Sequence, residues 1–569
     1  MKAQALSLCI LLAVSTAARG QKASPHNSNL NRLHAQKQPD NHLCSVADSS
    51  SRSADLDYER GMALAHLERW NEAKQAFAAG QGQYPQDKRF PIELAGIAFK
   101  QKRLGEAKKD LHRALSLDPN DSYALNFLAT LYFLEGNLAA ALKYWNRVGK
   151  PQIASIRTPS HLQVDPALLD RAFTCSPASV LRIEQYRATQ ARLQQLGIFP
   201  VFRLDLVPQS VSGDDFDLKL SAVERNGMGE NKLAGLLSLL RGVPYETVYP
   251  EYFNLRHAAF NIQSLLRWDD QKRRIFASVS APLAGNPKYR YQIYVDGRNE
   301  NWDVSPTFNF PGAPLKSFNM ETLEAGGGIK SIVNSRSSWA AGLALSDRRF
   351  RNLPAGVSNP LFTDGFALEV RARGEYALLR APEKRFTLTS SGAASLGKLY
   401  APGFSDFSKL QGSLGARWFP KVRGDDYEMD GKLQAGKTFG QVPFDELFML
   451  GLERDNNLPL RAHIGTRDGR KGNAPLGRDY LLSNWEINKN LYENGWFKLR
   501  LAPFLDTGRI YGRSDGFGSR QWLWDTGGEA KLSMLGGVSI IFTYGKDLRT
   551  GNNTFYVTTV HEGGLHFLP

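Results

Sequence analysis

Hydrophobic and polar positions follow two different periods along this chain. In residues 54–150, small and apolar residues recur at helical spacing, and a 34-residue period relates Ala73, Ala107 and Ala141. From about residue 250 onward, short segments alternate apolar and polar residues, with turn residues between them. The first pattern predicts paired helices, and the second predicts a succession of half-buried β-strands. With 569 residues, the chain is expected to fold as several domains.

The 34-residue period also relates further small, apolar and proline positions. They are Phe77, Leu111 and Trp145, then Gly61, Ala95 and Ala129, and finally Pro85 and Pro119. These offsets are typical of the tetratricopeptide repeat, in which small residues lie where paired helices touch and proline ends a pair. We predict three repeats over residues 54–150, with Ala73, Ala107 and Ala141 as repeat-packing residues; an unrelated helical bundle is the alternative. A stack of repeats presents a concave surface, so a protein partner is expected there.

The N-terminus has the features of an export signal. Lys2 precedes an apolar run at residues 6–14, and small residues within residues 18–20 precede a cleavage position. We predict a signal peptide at residues 1–20 and a disordered polar linker at residues 21–53.

Export has consequences for the rest of the chain. It permits a disulfide between Cys44 and Cys175, and two free thiols are the alternative. No segment beyond the signal reaches 18 consecutive apolar residues, so no transmembrane helix is predicted. A membrane protein without such helices must be a closed barrel, because only closure satisfies every backbone group in lipid.

A small α/β module is predicted at residues 155–227. A helical pattern over residues 180–196 ends at Gly197, and alternating segments follow at residues 201–207 and 216–222. After this module, a leucine-rich segment predicts an amphipathic linker helix within residues 228–249. This helix is expected either at the membrane interface or against the α/β module.

Residues 250–569 carry the alternating pattern, which is clear at residues 497–506. There the apolar side chains lie on one face, while Lys498, Arg500 and Asp506 lie on the other. Apolar-out and polar-in over about ten residues is typical of transmembrane barrel strands. A soluble sandwich produces the same alternation, but the export signal and the long run of short strands favour an outer-membrane barrel. About 16 strands are expected, because bacterial single-chain barrels favour even numbers.

Charge and candidate chemistry narrow the function. The net charge of +15 suits nucleic acid, an anionic membrane surface or an acidic partner, and no motif supports nucleic acid. No Gly-x-Ser-x-Gly, His-Glu-x-x-His, P-loop or cysteine cluster occurs. Paired carboxylates such as Asp269-Asp270 fall in predicted turns, where aspartate is favoured. We therefore predict no enzyme activity and no catalytic, cofactor-binding or metal site.

Residues 192–199, with the sequence Arg-Leu-Gln-Gln-Leu-Gly-Ile-Phe, and the pair Val223-Glu224 resemble a polypeptide-transport-associated (POTRA) domain. On this resemblance, residues 155–227 form one POTRA-like domain. Such domains lie in the periplasm before the barrels of the outer-membrane assembly and translocation superfamily, which includes BamA and TamA. The resemblance implies the same order here, with the N-terminal domains in the periplasm.

The segment Leu460-Arg461-Ala462-His463 is similar to the motif of that superfamily's sixth extracellular loop. Ala462 stands in place of the usual glycine, and His463 stands in place of the usual aromatic residue. In the family, the arginine folds back into the lumen and meets an aspartate, and Asp506-Thr507-Gly508 is similar to the family's Asp-x-Gly segment. The resemblance implies a structural lumen pair of Arg461 and Asp506; surface charges on separate hairpins are the alternative.

The resemblance also implies a function in handling polypeptides. Assembly and insertion of outer-membrane proteins, or their translocation across the outer membrane, are the expected activities. The expected partners are outer-membrane lipid, client polypeptides and a periplasmic protein on the repeats. A transport channel and a soluble β-rich scaffold or adhesion protein are the alternatives.

Overall fold

The computed structural model describes residues 53–209, 215–308, 317–353, 360–401, 403, 406–494, 496–512, 516–519, 521–534 and 538–561. The predicted signal peptide, the predicted linker up to residue 52 and residues 562–569 lie outside these ranges. The chain divides into two compact units. The first comprises residues up to Arg157, Cys175–Ile183 and Asp205–Lys219, and the second comprises Thr158–Thr174, Glu184–Leu204 and residues from Leu220 onward.

Six helices begin the described part of the first unit. They are α1 (Ala54–His66), α2 (Trp70–Gln83), α3 (Arg89–Lys100), α4 (Leu104–Leu117), α5 (Ser122–Leu134) and α6 (Leu138–Trp145). Ala73, Ala107 and Ala141 are fully buried, one on the second helix of each successive pair. Asn137 caps α6, because its side-chain oxygen accepts from the N–H of Ala140 at 3.1 Å. The helical-repeat part of the predicted fold class is confirmed.

Two glycines of α2 have opposite surroundings. A Cβ at Gly80 would overlap the ring of the buried Phe90 on α3, whereas a Cβ at Gly82 would meet nothing within 4 Å. Gly80→Ala is therefore expected to destabilise the repeats by about 1–3 kcal/mol, because Phe90 must leave its place. The matched Gly82→Ala is expected to be neutral or to stabilise by up to about 1 kcal/mol. Thermal melts of the full-length protein by far-UV circular dichroism measure the difference, and equal midpoints would contradict this packing.

A small α/β part follows the helices. Its elements are β1 (Gln152–Arg157), α7 (Pro166–Ala172), β2 (Ser179–Val180), α8 (Ile183–Gln195), β3 (Val201–Pro208) and β4 (Asp215–Val223). The strands form one sheet in the order β2-β1-β4-β3, with β1 parallel to β4. The sequence pattern predicted α8, β3 and β4 and missed two strands. In β1 only Ile153 is buried, and β2 has two residues, so neither strand produces a clear alternation.

Cys175 is buried in the first unit. Burial raises the pKa of its thiol to about 11, so the thiol is protonated at neutral pH. Its possible disulfide partner Cys44 lies outside the described residues, and the pairing stays a prediction.

The second unit contains a closed antiparallel β-barrel. Its first strand is broken into β5 (Thr247–Val248) and β6 (Glu251–Leu255), which both pair with β7 (Phe260–Trp268). The wall continues through β8 (Lys272–Leu283), β9 (Asn286–Asp303), β10 (Ser317–Ile332), β11 (Ser337–Arg351), β12 (Gly365–Ala381), β13 (Phe386–Tyr400), β14 (Asp406–Trp418) and β15 (Tyr427–Gly440).

Four short segments separate β15 from the next long strand. They are β16 (Phe448–Met449), β17 (Thr466–Arg467), β18 (Arg470–Lys471) and β19 (Leu476–Gly477). The wall then resumes with β20 (Asp479–Glu493), β21 (Phe497–Gly512), β22 (Phe517–Gly518), β23 (Leu523–Met534), β24 (Val538–Asp547) and β25 (Asn553–His561). The ring closes where β25 lies beside β5, and we call this boundary the seam.

Side chains alternate across the barrel wall as predicted. In β9, Ile293 and Val295 are exposed on the outside, whereas Gln292 and Asp296 are buried on the inside. Fourteen wall strands have nine or more residues, and the broken first strand brings the number to 15, one fewer than the expected 16; with every short segment counted separately, the described ring contains 19. The barrel part of the predicted fold class is confirmed. Within the described ranges, no helix is long and apolar enough to cross a membrane.

The linker helix α9 (Lys232–Leu240) packs on the first barrel strand. The hydroxyl of Ser238 donates to the carboxylate of Glu251 in β6 at 2.8 Å, and Arg241 donates to both of its oxygens at 3.1 Å. Leu233 and Leu236 on the same helix remain exposed. The sequence analysis expected this helix at the membrane interface or against the α/β module, and it did not predict the contact with the barrel.

Candidate functional site

Residues 441–478, between β15 and β20, turn into the barrel, and we call this 38-residue segment the lumen loop. Its Leu458 and Leu460 are buried against Tyr480 and Leu482 of β20. Removal of these side chains from water seats the middle of the loop on the inner wall. Its polar contacts then determine which wall strands it holds.

Arg461 of the lumen loop reaches three strands of the inner wall. Its Nε and Nη2 each donate to one carboxylate oxygen of Asp506 in β21 at 2.8 Å, and its backbone N–H donates to the same carboxylate at 3.1 Å. Its Nη1 lies 2.5 Å from Glu486 Oε2 in β20 and 3.4 Å from Glu529 Oε1 in β23. The guanidinium carbon lies 3.8 Å from the centre of the Phe504 ring. A bidentate contact of this kind is strong and fixes the orientation of both side chains.

The acidic pocket around Arg461 holds more negative than positive charge. Asp506 is fully buried, and Asn484 Nδ2 donates to its Oδ1 at 2.8 Å. Lys531 of β23 pairs with Glu486 and Glu529 and offsets part of this excess. Removal of the arginine would therefore leave buried carboxylates without sufficient compensation.

The two residues after Arg461 are held by a second buried carboxylate. The N–H of Ala462 donates to Asp525 Oδ2 at 2.6 Å, and the Nδ1 atom of His463 lies 3.1 Å from the same oxygen. Gly545 of β24 lies below this turn, and a Cβ there would overlap the carbonyl oxygen of Arg461. The loop backbone thus lies directly on the wall.

Asp455 connects the lumen loop to a different part of the wall. Its Oδ1 accepts from Arg274 Nη1 in β8 at 2.6 Å, and its Oδ2 accepts from Arg267 Nη1 in β7 at 3.1 Å. Both arginine side chains are buried, and Arg274 also forms a bidentate pair with Asp296 in β9. This contact therefore joins the loop to three consecutive strands.

Two further buried ion pairs strengthen the same side of the loop. Lys471 Nζ lies 2.5 Å from Glu300 Oε1 in β9, and Lys272 Nζ in β8 lies 3.5 Å from Glu453 Oε1. The loop thus supplies one cation and one anion to a wall that carries the opposite charges. Such alternation fixes the register of the loop more than it adds net stability.

The lumen loop consequently contacts both flanks of the seam. Arg461 and His463 contact strands that precede the seam in the ring, and Asp455 contacts strands that follow it. Arg454 lies at the seam itself. Its guanidinium carbon is 3.6 Å from the centre of the Tyr245 ring, just before β5, and its charge lies close to Tyr556 of β25.

An aromatic cluster and a polar cavity lie beside the lumen loop. An aromatic cluster packs where the loop leaves the wall strands; it consists of Trp302, Phe308, Phe318, Phe350, Phe362, Phe444 and Phe517. A cavity of about 440 Å³ remains beside the loop, lined by charged and amide side chains that include Arg371, Lys409, Gln411 and Lys432. Within the described part of the chain, no group of three or more His, Cys, Asp or Glu side chains could hold a metal ion.

The structure brings the sequence-predicted residues Arg461 and Asp506 together, and it adds partners that the sequence did not indicate. Glu486 lies on the polar face of its strand, so the alternation of residues 481–488 could have placed it in the lumen. Asp525 and Asp455 carry no comparable signal, because a lone aspartate near a strand end or in a loop is ordinary.

Comparisons with known proteins add similarities of sequence and architecture. A tetratricopeptide repeat family model matches residues 98–152, and no curated protein matches the sequence. Among solved structures, the chain is similar to CdiB from Escherichia coli, with 14% identity, a TM-score of 0.47 and coverage of 72% of this chain and 76% of that one.

Two other solved structures are similar to the chain. For BamA from Haemophilus ducreyi lacking POTRA domains 1–3, the identity is 13%, the TM-score is 0.41 and the coverage is 72% of this chain and 84% of that one. For CdiB from Acinetobacter baumannii, the identity is 12%, the TM-score is 0.42 and the coverage is 82% and 86%. A BamA is thus among the structures that this chain is similar to, as the sequence resemblance predicted.

Proposed function

We propose that this protein is an outer-membrane β-barrel that handles polypeptides, either by inserting client proteins into the outer membrane or by moving them across it. The seam is the observation that carries the proposal. The ladder between β24 and β25 contains nine residue pairs, whereas β5, the strand beside β25 at the seam, has two residues. So short a strand supplies few ladder hydrogen bonds, and the seam therefore opens at a lower free energy than its neighbours.

An opened seam provides a template for a client. The backbone N–H and C=O groups of a free strand edge pair readily with another extended chain. The exposed apolar outer face of the wall supports a location in lipid, where a client strand that adds to this edge would already face the bilayer. In this proposal, the lumen loop holds both flanks of the seam in place while the edge is open.

The N-terminal parts of the chain would provide two binding surfaces, one for client polypeptides and one for a periplasmic partner protein. We propose that residues 155–227 act as a POTRA-like domain in the periplasm. The edge position of β3 in the sheet and its exposed Val201 and Val207 support strand addition by a client. The concave surface of the repeats would bind a periplasmic protein.

Deletion in the native bacterium is expected to lower the levels of other outer-membrane or surface proteins, and re-expression of the wild-type chain is expected to restore them. Quantitative proteomics of outer-membrane fractions measures this effect. Unchanged levels in the deletion strain would contradict a role in insertion or translocation. An effect on secreted proteins alone would identify translocation as the activity.

A transport channel is the second candidate, and the 440 Å³ polar cavity is the observation that favours it. The aromatic cluster and the lumen loop block that route, so we expect little steady conductance in planar bilayers. Large conductance without any client would favour the channel. The alternative of a soluble scaffold is tested by gel migration. A closed barrel migrates differently before and after heating, whereas a soluble scaffold would show no such difference.

A further inference from the structure

The number of wall strands determines how the two ends of the wall meet at the seam. Among the described residues, fourteen consecutive ladders join the fifteen wall strands from the broken first strand to β25, and every one of these ladders is antiparallel. Each antiparallel ladder reverses the direction of the chain, so β25 runs in the same direction as β5 and β6. A parallel pair is slightly less stable per residue than an antiparallel one. One further strand at the seam would run antiparallel to both neighbours, and we call its place the seam slot.

One residue of β6 already has a backbone partner on the seam side. The N–H of Gly227 donates to the carbonyl oxygen of Phe253 at 3.0 Å, and the N–H of Phe253 donates to the carbonyl oxygen of Gly227 at 2.7 Å. This bridge is antiparallel, as a strand in the seam slot would be. On the other edge, the carbonyl oxygen of Pro250 accepts from the N–H of Ser264 in β7 at 2.9 Å. Residues an odd number of positions apart direct their backbone groups to opposite edges of a strand, so those of Phe253 face the seam.

Side chains hold the segment that carries Gly227, and we call this segment, residues 224–229, the edge cap. Asn254 Nδ2, at the end of β6, donates to Glu224 Oε1 at 2.7 Å. The buried guanidinium group of Arg225 lies over the ring of Phe253, with its carbon 5.2 Å from the ring centre. All of these residues belong to the second compact unit. The edge cap is therefore attached to the first wall strand through both its backbone and its side chains.

The edge cap is a tight turn and not the start of a longer strand. Gly227 has a φ of +69°, in the left-handed region that favours glycine, and the N–H of Asn226 donates to the carbonyl oxygen of Gly229 at 3.0 Å across the turn. The helix α9 packs directly on it, because a Cβ at Gly235 would lie 3.0 Å from the Cβ of Met228. The bridge to β6 is an isolated one. The edge cap thus covers a single residue of the edge, and a longer extended segment could replace it.

We propose that the edge cap inhibits strand addition in the resting protein, and that one extended segment of a client takes its place in the seam slot, antiparallel to both β6 and β25. The client would use the same N–H and C=O groups of Phe253, so the two cannot be bound together. The edge cap provides one residue pair, whereas a full strand such as β24 forms nine with β25. The edge cap therefore sets a threshold that short or weakly pairing segments do not pass. This inference rests on the proposed function, in which the seam receives clients.

The test uses the full-length protein in detergent and a fluorescent peptide with the sequence of β24 (Val538–Asp547), which pairs antiparallel with β25 in the wall. Gly227→Pro removes the N–H that donates to Phe253 and cannot adopt a φ of +69°, so it releases the edge cap. Its affinity for the peptide, measured by fluorescence anisotropy, is expected to rise about tenfold, the equivalent of two backbone hydrogen bonds. Hydrogen exchange followed by mass spectrometry is expected to show faster exchange within residues 251–255.

Matched variants separate release of the edge cap from general damage. Gly424→Pro changes a glycine with a φ of +71° in the turn between β14 and β15, and it is expected to bind the peptide like the wild type. Gly235→Ala displaces Met228 and so loosens the edge cap from α9, which gives a second route if Gly227→Pro does not fold; a smaller gain in affinity is expected. Gly96→Ala is its control, because a Cβ there would meet nothing within 4 Å. The same peptide with alternate residues N-methylated lacks the N–H groups of one edge and is expected not to bind.

Each outcome decides a different point. Faster exchange within residues 251–255 without a gain in affinity would overturn the edge cap as an inhibitor, and unchanged exchange would overturn its pairing with β6. Binding to neither form, by a barrel that still shifts on heating, would overturn the seam slot. A gain on removal of residues 562–569, with none in Gly227→Pro, would assign the slot to those residues instead. Failure of the proposed function differs from all of these, because the variant then gains affinity while the deletion strain keeps its outer-membrane proteins.

Discussion

Arg461→Ala is expected to lower the free energy of unfolding by about 3–5 kcal/mol, because it leaves the buried carboxylate of Asp506 without its cation and leaves Glu486 with Lys531 alone. The same change removes the bidentate contact that holds the lumen loop on β21. We therefore expect the loop to leave the wall and to become a substrate for proteases. Urea titration of the heat-shifted gel band measures the stability, and peptide mapping after brief proteolysis locates cleavage within residues 441–478.

The matched control for this prediction is Arg349→Ala. Arg349 is exposed and pairs with Asp347 on its own strand, so its loss is expected to change stability by less than about 1 kcal/mol. Arg461→Lys keeps the charge and loses the planar fork, and an intermediate result is expected. If the Arg461→Ala variant has the same unfolding midpoint and the same cleavage of residues 441–478 as the Arg349→Ala control, Arg461 does not hold the lumen loop.

Asp455→Ala is expected to have the second large effect, about 3 kcal/mol, because Arg267 and Arg274 lose their shared carboxylate inside the barrel. Arg274 keeps Asp296, so Arg267 becomes the less compensated charge. The strands after the seam should then open more often. Hydrogen exchange followed by mass spectrometry is expected to show faster exchange in β7 and β8 and unchanged exchange in β13 and β14.

Asp347→Ala is the control for this aspartate, because Asp347 lies at an exposed pair. Combination of Arg461→Ala with Asp455→Ala adds a further test. If one loop joins both flanks of the seam, the double variant should lose less stability than the sum of the single variants, because the first change already releases the loop. Strict additivity would show that the two contacts act independently.

The sequence predicted those features that repeat or alternate. The spacing of Ala73, Ala107 and Ala141 is set by helix contacts that recur in each unit, so it is visible without a structure. The alternation along β21 likewise placed Asp506 inside the barrel, since successive side chains of a strand lie on opposite faces of the wall. The helix α8 was predicted with an early start, because Val180 of β2 and Leu181 after it continue its apolar pattern.

Contacts between distant segments could not be predicted in the same way. Asp455 meets Arg267 across 188 residues of sequence, and neither residue belongs to a periodic pattern that requires the other. The packing of α9 on Glu251 could not be predicted from the sequence for a different reason. Its leucines dominate the sequence pattern, whereas Ser238 and Arg241 make the contact.

The wall of the barrel has unequal height around its circumference. The strand β9 has 18 residues and β12 has 17, whereas β7, beside the broken first strand, has nine. At about 3.3 Å per residue and a tilt of about 45°, β7 spans roughly 21 Å of bilayer and β9 roughly 42 Å. In the proposed membrane location, a hydrocarbon layer of about 30 Å would therefore have to thin beside β7, whereas it would keep its full thickness beside β9. Lipids next to the first strands would then be the most easily displaced, and a client hairpin of the proposed function would meet its lowest barrier on that side.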